Sequence, residues 1–292
     1  MYGELNRIWE IEREVKKIDE LFVRAVGSKM WGLQRLWTRR FLNKESFAMV
    51  APTGSGKTTM QMILSLYAAN KGKRTLIMLP TSLLAHQVHQ KLLELRSKLG
   101  FDGVLVSAYH SLLTNKQKRL ELENTVDASI IVTTPISLMK RAELQRPINI
   151  AFIDDVDSFL RKSKSVDIVL KMLNVTPEEI ALIEKAQKME SEARKLARED
   201  PERARQLISE AAKLKTSIRL KVKGQVIVSG ATQTARRTKR VRILNALFGF
   251  TVGGKIEVGR NIVDMYIKPP KELFEKTIVN VVKKLGLSLI HI

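Results

Sequence analysis

The residues best suited to chemistry form a glycine-rich segment, Ala-Pro-Thr-Gly-Ser-Gly-Lys-Thr, at residues 51–58. Glycines let such a loop curl so that its backbone N–H groups point at phosphate oxygens, and a following helix adds the positive end of its dipole. Lys57 would supply a cation for the β- and γ-phosphates, and Thr58 a hydroxyl for Mg²⁺. The segment therefore predicts a site for ATP and Mg²⁺. The loop residues expected to bind the nucleotide are Pro52, Thr53, Gly54, Ser55, Gly56, Lys57, Thr58 and Thr59.

A second chemically capable segment is acidic, Asp154-Asp155-Val156-Asp157, and it ends the apolar run at 148–153. Carboxylates at the carboxyl end of a parallel strand face the crevice in which ligands bind. We expect Asp154 to hold Mg²⁺ with Thr58, partly through water, and Asp155 to orient and deprotonate the attacking water. Asp157 would form a hydrogen bond with the motif that comes next along the chain, at residues 229–232. Alone, such a run is compatible with a solvated turn, but a phosphate-binding loop upstream favours the catalytic interpretation.

These two segments require elements that bring them together. Short apolar runs at 46–52, 74–80, 103–109, 129–135, 148–155 and 225–232 alternate with helical patterns. Strands this apolar, separated by helices, indicate a mostly parallel sheet covered on both faces. The predicted fold class is α/β, a RecA-like P-loop domain with a mostly parallel sheet flanked by helices. Two further helices are predicted ahead of it, at 4–26 and 31–42.

One region interrupts this alternation, between about residues 177 and 223. Apolar residues recur every three or four positions on either side of Asp200-Pro201, which predicts two antiparallel helices. We interpret the region as a helical hairpin inserted in the domain at 165–224, with its apolar stripes used for packing. The stripes are Leu182, Ala186, Met189, Ala193 and Leu196, then Ala204, Leu207, Ala211, Leu214 and Ile218.

Smaller segments in the same order resemble the motifs of superfamily 2 helicases. Pro80-Thr81 and Thr133-Thr134-Pro135 resemble the two strand-tracking motifs, which in that family contact the nucleic-acid backbone without reading bases. Residues 229–232, Ser-Gly-Ala-Thr, resemble the Ser-Ala-Thr motif that couples hydrolysis to strand movement. The resemblance implies nucleic-acid contacts at Pro80, Thr81, Thr133, Thr134 and Pro135. It implies coupling roles for Asp157, Ser229, Ala231 and Thr232.

Within that superfamily the chain resembles the reverse gyrases, over residues 20–285. The segment Trp31-Gly-Leu-Gln34-Arg35 is similar to their adenine-sensing glutamine region, and a glutamine amide can both donate to and accept from the adenine edge. The form Asp-Asp-Val-Asp, and the stretches 248–250 and 260–264, are also similar to that family. The resemblance implies residues 1–43 as helices with the glutamine region, 44–264 as the first RecA-like domain, and 265–292 as a linker toward a second one.

Two departures from the family pattern lower the expected activity. Asp155 is one methylene shorter than the usual glutamate, and a displacement of about 1 Å can cost on the order of a hundredfold in rate. Gly230 replaces the serine of Ser-Ala-Thr, which leaves Asp157 to bond Thr232 or Ser229 instead. We therefore expect slow hydrolysis and weaker coupling.

Charge composition favours a polyanionic partner. The chain has 51 Lys and Arg against 30 Asp and Glu, a formal net charge of +21, and neutralised phosphates release counterions. Cysteine is absent, so this chain forms no disulfide or thiolate zinc site. DNA contact is expected from Arg236 and Arg237 beside the coupling motif, against a solvated helix as the alternative. His86, His89 and His110 are assigned structural roles.

The sequence as a whole predicts a cytoplasmic ATP-dependent motor half from a thermophile, with no membrane segment. The resemblance implies that it acts in a reverse gyrase, which adds positive supercoils to DNA. A second RecA-like domain and a type IA topoisomerase domain would be missing or on another chain. Two alternatives remain, a helicase subunit of DEAD-box type acting on RNA or DNA, and a nucleotide-sensing DNA-binding module of a split enzyme.

Overall fold

Six short strands form one sheet in the computed structural model, which describes residues 2–160, 163–230 and 239–249. The strands are β1 (Phe47–Val50), β2 (Thr75–Met78), β3 (Val106–Tyr109), β4 (Ile130–Thr133), β5 (Ile150–Ile153) and β6 (Gln225–Gly230). Their order is β1-β6-β5-β2-β4-β3, and all neighbours run parallel. Strands β2, β4 and β5 are buried at every position, as expected for strands covered on both faces.

Helices connect the strands and cover the sheet. Those in the first half of the chain are α1 (Tyr2–Val26), α2 (Gly32–Leu42), α3 (Lys57–Asn70), α4 (Ser82–Leu99) and α5 (Asn115–Asn124). The later ones are α6 (Pro135–Lys140), α7 (Val156–Leu160), α8 (Ser163–Met172), α9 (Pro177–Leu196), α10 (Pro201–Lys221) and α11 (Lys239–Phe248). The predicted α/β, RecA-like class with a parallel sheet is thereby confirmed.

Two apolar layers lie on opposite faces of the sheet. One layer contains buried side chains of α1 to α4, such as Phe22, Trp37 and Leu64. The other contains buried side chains of α6 to α11, such as Phe159 and Leu244. The predicted catalytic and binding segments follow strands that are packed between these two layers, and this packing fixes where the strands end.

The edge strand β3 is covered by α5. The backbone N–H of Ala108 donates to the carboxylate of Glu121 at 2.9 Å. The hydroxyl of Ser107 donates to the backbone carbonyl of Glu121 at 2.9 Å. An unpaired strand edge is a template for pairing with another chain, and a carboxylate placed on it blocks that pairing.

Polar contacts attach the two N-terminal helices to each other. Arg39 on α2 binds both carboxylate oxygens of Glu12 on α1, at 2.5 and 3.0 Å. Asp19 accepts from the Arg35 guanidinium at 2.8 Å and from the Met30 N–H at 2.7 Å. The linker between the helices is therefore held close to α1, which fixes where α2 begins.

The predicted helical hairpin is present as α9 and α10. Thr176 and Asp200 cap the two helices by accepting from the N–H groups of Glu179 and Arg203, at 3.2 and 2.9 Å, and each helix begins with proline. The predicted stripe needs one correction, because Ile183 is buried whereas Leu182 is 37% exposed. Buried side chains of the hairpin include Ala186, Ala193, Ala204, Leu207, Ala211 and Ile218.

The predicted linker at 265–292 lies outside the described residues, as do Phe250 and the family-like stretch at 260–264. None of the helices in the described part of the chain is long and apolar enough to cross a lipid bilayer.

Candidate nucleotide and nucleic-acid edge

All five predicted motifs follow strands at one edge of the sheet. The phosphate loop follows β1, the acidic segment follows β5, and Ser229 lies at the end of β6. The two threonine motifs follow β2 and β4. The strand order therefore divides this edge into two halves of three adjacent strands each. We call the edge of β1-β6-β5 the nucleotide half and the edge of β2-β4-β3 the threonine half.

The phosphate loop has the curled backbone that its glycines allow. Gly54 and Gly56 have φ angles of +79° and +80°, in the left-handed region that favours glycine. No side chain within the described residues caps the N terminus of α3. The first turn of α3 thus retains N–H groups, which are the donors that an anion at a helix N terminus requires.

Lys57 is folded over this loop. Its ammonium donates to the carbonyl oxygens of Ala51 and Pro52, at 2.7 and 2.8 Å, and to the Ser55 hydroxyl at 3.4 Å. Partial burial lowers the pKa of Lys57, and the negative charge of Asp154 opposes that shift. The cation is therefore held by groups of the loop itself and interacts electrostatically with the predicted metal ligand Asp154.

Gln34 contacts the phosphate loop directly. The residue is buried, its amide N–H₂ donates to the Ser55 carbonyl at 3.4 Å, and its amide oxygen accepts from the Trp31 N–H at 3.2 Å. A Cβ on Gly56 would lie 2.8 Å from the Gln34 nitrogen. The predicted adenine-binding residue is thus packed against the loop and connects α2 to it.

The carboxylate of Asp154 is hydrogen-bonded to the side chain of Ser229. The Ser229 hydroxyl donates to the Asp154 carboxylate, and it accepts from the Gln61 amide at 3.0 Å. Sequence reasoning gave Ser229 a coupling role with Asp157, whose side chain is outside the described set. It missed Gln61, although a glutamine inside the apolar pattern of α3, one turn after Lys57, was a usable signal.

Asp155 has an unusual backbone and an exposed side chain. Its φ is +52°, and its carboxylate accepts from the Ser158 N–H at 3.4 Å, at the start of α7. A non-glycine residue in this region is uncommon, and such residues cluster at functional sites.

The threonines of the other half use their hydroxyls within the fold. Thr81 and Thr134 cap α4 and α6 by accepting from the N–H groups of Leu84 and Ser137, both at 3.2 Å. Thr133 is buried and donates to the Tyr109 carbonyl at 2.8 Å. Pro80 lies two residues beyond the end of β2, and Pro135 is the first residue of α6. Nucleic-acid contact by these residues stays a prediction. The predicted DNA contacts of Arg236 and Arg237, and the predicted coupling roles of Ala231 and Thr232, fall on residues outside the described part of the chain.

Three histidines meet in the threonine half. The rings of His86 and His110 are 5.4 Å apart and perpendicular. His110 is fully buried, and neither of its ring nitrogens has a hydrogen-bond partner within the described residues. Burial, with the positive charges of His86, His89 and Lys118, lowers the pKa of His110 to about 4. No group of histidine and acidic residues in the described part of the chain has the arrangement of a metal site.

The donor set of the nucleotide half fits a nucleoside triphosphate with Mg²⁺. An uncapped helix N terminus and a lysine suit phosphate, while a hydroxyl and a carboxylate are hard oxygen ligands of the kind that Mg²⁺ prefers. Thr58 and Asp154 would hold the ion, and Lys57 and the loop amides would hold the phosphates.

Comparison with known proteins agrees with this chemistry. The family model described as DEAD/DEAH box helicase matches residues 32–241. The chain is 41% identical to the reverse gyrase of Pyrobaculum aerophilum, over 94% of this chain and 23% of that protein. It is 35% identical to the reverse gyrase of Pyrococcus horikoshii, over 96% of this chain and 18% of that protein. The predicted resemblance to reverse gyrases is thus confirmed, and the chain spans about a fifth of the length of these relatives.

A solved structure shares the fold. The chain is similar to a hypothetical ATP-dependent RNA helicase from Sulfolobus tokodaii, with a TM-score of 0.50, 16% identity, and coverage of 80% of this chain and 54% of that one. At this identity the likeness concerns the fold alone.

Proposed function

The chain belongs to the DEAD/DEAH box helicase family, and from that membership we propose that it is the ATP-binding motor half of a reverse gyrase. In this proposal it binds Mg²⁺-ATP and DNA, and a second RecA-like domain and a type IA topoisomerase domain complete the enzyme. The observation that supports it best is the uncapped phosphate loop with Lys57 folded over it and Asp154 nearby.

Each residue of the nucleotide half has a distinct part in this proposal. The ammonium of Lys57 would leave the Ala51 and Pro52 carbonyls for the β- and γ-phosphates. Thr58 and Asp154 would fix the metal ion, which neutralises developing charge on the phosphates when bound. Asp155, exposed at the start of α7, would orient the attacking water. Gln34 would bind adenine while remaining attached to the loop.

DNA binding is supported by charge and by position. A net charge of +21 favours a polyanion, and the threonine half lies beside the nucleotide half on one edge of the sheet. The hydroxyls of Thr133 and Thr134 donate within the fold, whereas the Thr81 hydroxyl accepts in its cap and does not donate there. Contacts to the DNA backbone would therefore come from main-chain groups, from the Thr81 hydroxyl and from cations such as Arg236 and Arg237.

Hydrolysis by the chain alone should be slow. Arginines on the γ-phosphate are worth about 10³–10⁵ in rate in phosphoryl transfer, and in the proposed enzyme they come from the second RecA-like domain. The shorter carboxylate of Asp155 lowers the rate further.

The test is steady-state ATP hydrolysis by this chain, with and without a separately expressed second RecA-like domain from a related reverse gyrase, in the presence of DNA. We expect tight Mg²⁺-ATP binding, very slow turnover alone, and stimulation by the added domain. Full turnover by the chain alone would contradict the motor-half proposal.

The nucleic-acid partner is tested separately, by binding to DNA and RNA of one length and sequence at a fixed salt concentration. We expect DNA binding whose affinity changes with ATP. A clear preference for RNA would favour the helicase-subunit alternative. If ATP does not change the affinity for DNA, the result counts against the motor-half proposal. It counts equally against the alternative of a nucleotide-sensing DNA-binding module.

A further inference from the structure

A buried glutamine on the phosphate-loop helix is not explained by nucleotide binding. Gln61 follows Lys57 by one helical turn on α3, and its side chain is fully buried. Its amide N–H₂ donates to Ser229 at 3.0 Å, and its amide oxygen is buried without a hydrogen-bond partner in the described part of the chain. A buried amide whose oxygen makes no hydrogen bond is costly, so its presence needs a reason.

The reason lies in the single proton of Ser229. A serine hydroxyl donates once and rotates to suit its surroundings. Because Gln61 donates to the Ser229 oxygen, the hydroxyl proton is directed to its other neighbour, the Asp154 carboxylate. If the Gln61 amide were reversed, its oxygen would compete with Asp154 for that proton.

We propose that Gln61 is a positioning residue that acts through Ser229 on Asp154. The three side chains form a relay, which we call the Gln61 relay, from α3 through β6 to the end of β5. It fixes the carboxylate by one oxygen and leaves the other oxygen for the metal ion. The assignment rests on the proposed function, because it takes Asp154 as the residue that holds Mg²⁺.

The relay also connects elements that are distant along the chain. Gln61 and Ser229 are separated by 168 positions, and Ser229 stands at the beginning of the Ser-Gly-Ala-Thr segment. A change in the carboxylate when Mg²⁺ binds would therefore be felt by both α3 and β6. Replacing a residue that is hydrogen-bonded to a metal ligand typically lowers metal affinity by about ten- to a hundredfold.

The test uses this chain and four variants: Gln61→Met, Ser229→Ala, the double variant, and Ser65→Ala. Gln61→Met keeps the volume and removes the donor. Ser65 is the matched control, since it lies one turn further along α3 and its hydroxyl is also buried without a partner in the described residues. Binding of a fluorescent ATP analogue is titrated with Mg²⁺ and, separately, measured in EDTA.

We expect Ser229→Ala to raise the Mg²⁺ concentration for half-maximal binding by about tenfold, and Gln61→Met by about three- to tenfold. The double variant should match Ser229→Ala, because Gln61 acts only through that hydroxyl. Ser65→Ala should leave the Mg²⁺ requirement unchanged, and affinity in EDTA should stay within about twofold for all variants if the phosphate loop is intact.

Thermal unfolding without ligand provides a second readout. A non-additive double variant would support contact between Gln61 and Ser229, and additive effects would contradict it. If the wild type binds the analogue in a Mg²⁺-dependent way and Gln61→Met needs the same Mg²⁺ concentration, the relay is overturned. The proposed function would be untouched by that result. Absence of Mg²⁺-dependent binding by the wild type would overturn the proposed function, and the relay with it.

Discussion

The two halves of the sheet edge differ in how their helices begin. In the nucleotide half, α3 begins after Gly56, which has no side chain to cap the helix. In the threonine half, α4, α5 and α6 begin after Thr81, Thr114 and Thr134, and each threonine hydroxyl accepts from an N–H of the first turn, at 3.2 to 3.3 Å. The phosphate-loop helix α3 keeps its N-terminal donors available, although α7 in the same half is capped by Asp155. In the threonine half, all three helices have used one of these donors.

This difference indicates that the helix starts have two distinct roles, anion binding at α3 and stabilisation of the fold at α4, α5 and α6. An N terminus with free N–H groups attracts an anion, whereas a capped one has lost that capacity in exchange for about 1 kcal/mol of stability. The nucleotide half is therefore built to bind phosphate. The capping threonines of the other half stabilise the starts of their helices and position the backbone there.

The largest expected effect is at Lys57. Replacing Lys57 with Ala removes a charge-assisted contact to phosphate, so we expect Mg²⁺-ATP affinity to fall about ten- to a hundredfold and ATP to lose its effect on DNA binding. Lys73→Ala is the control, since Lys73 is exposed beyond the end of α3 and removes the same charge. Equal losses in the two variants, measured by titration with an ATP analogue, would mean that net charge and not the loop decides affinity.

A paired glycine comparison tests the loop geometry. Gly56 and Gly72 both have positive φ, +80° and +73°, but an added Cβ is within 4 Å of another residue only at Gly56, where it would meet Gln34. Ala at either position should lower the free energy of unfolding by about 1–2 kcal/mol. Only Gly56→Ala should also weaken ATP binding, because it displaces Gln34 from the loop. Equal ATP affinities would rule out that dependence on Gln34.

The histidine cluster predicts a pH response that belongs to the threonine half. The folded pKa of His110, about 4, is below its ordinary 6.5. The unfolded chain therefore takes up the proton first, and stability should fall as pH decreases from about 6.5 toward 4. His110→Leu should reduce this slope in denaturant unfolding measured at several pH values. If the slope is unchanged in that variant, other groups cause the acid sensitivity.

The smallest effects are expected at the caps. Thr81→Ala and Thr134→Ala should each lower the free energy of unfolding by about 1 kcal/mol without changing ATP affinity, whereas serine at either position should preserve the cap. Urea unfolding and the ATP-analogue titration measure the two quantities. A loss of ATP affinity in the alanine variants would contradict the claim that the caps of the threonine half do not affect nucleotide binding.

The sequence predicted the features that are local along the chain. The curled phosphate loop, the alternation of apolar strands with helices and the two helices around Asp200-Pro201 depend on neighbouring residues, so pattern and spacing were sufficient. At the start of α9 the apolar series was displaced by one residue, because Leu182 and Ile183 are both apolar and only packing against the core selects Ile183.

The contacts within the site were harder to predict, because they depend on which strands become neighbours. β6 lies between β1 and β5 although it is the last strand along the chain. That placement brings Ser229 to Asp154, and Gln61 to Ser229, which no local pattern indicates. The resemblance gave Ser229 a coupling role without its partner, and it gave Gln61 no role.

The carboxylate of Glu121 on the backbone of β3 bears on whether a second copy of this protein could extend the sheet at that strand. The sheet has hydrogen-bonding groups available at its outer strand, and a second copy could in principle continue it. Glu121 already accepts from Ala108, so an incoming strand would have to displace an ion from its donor and bury it. Growth of the sheet at that strand is disfavoured at its first step, and protein partners would more readily reach the domain through side-chain surfaces.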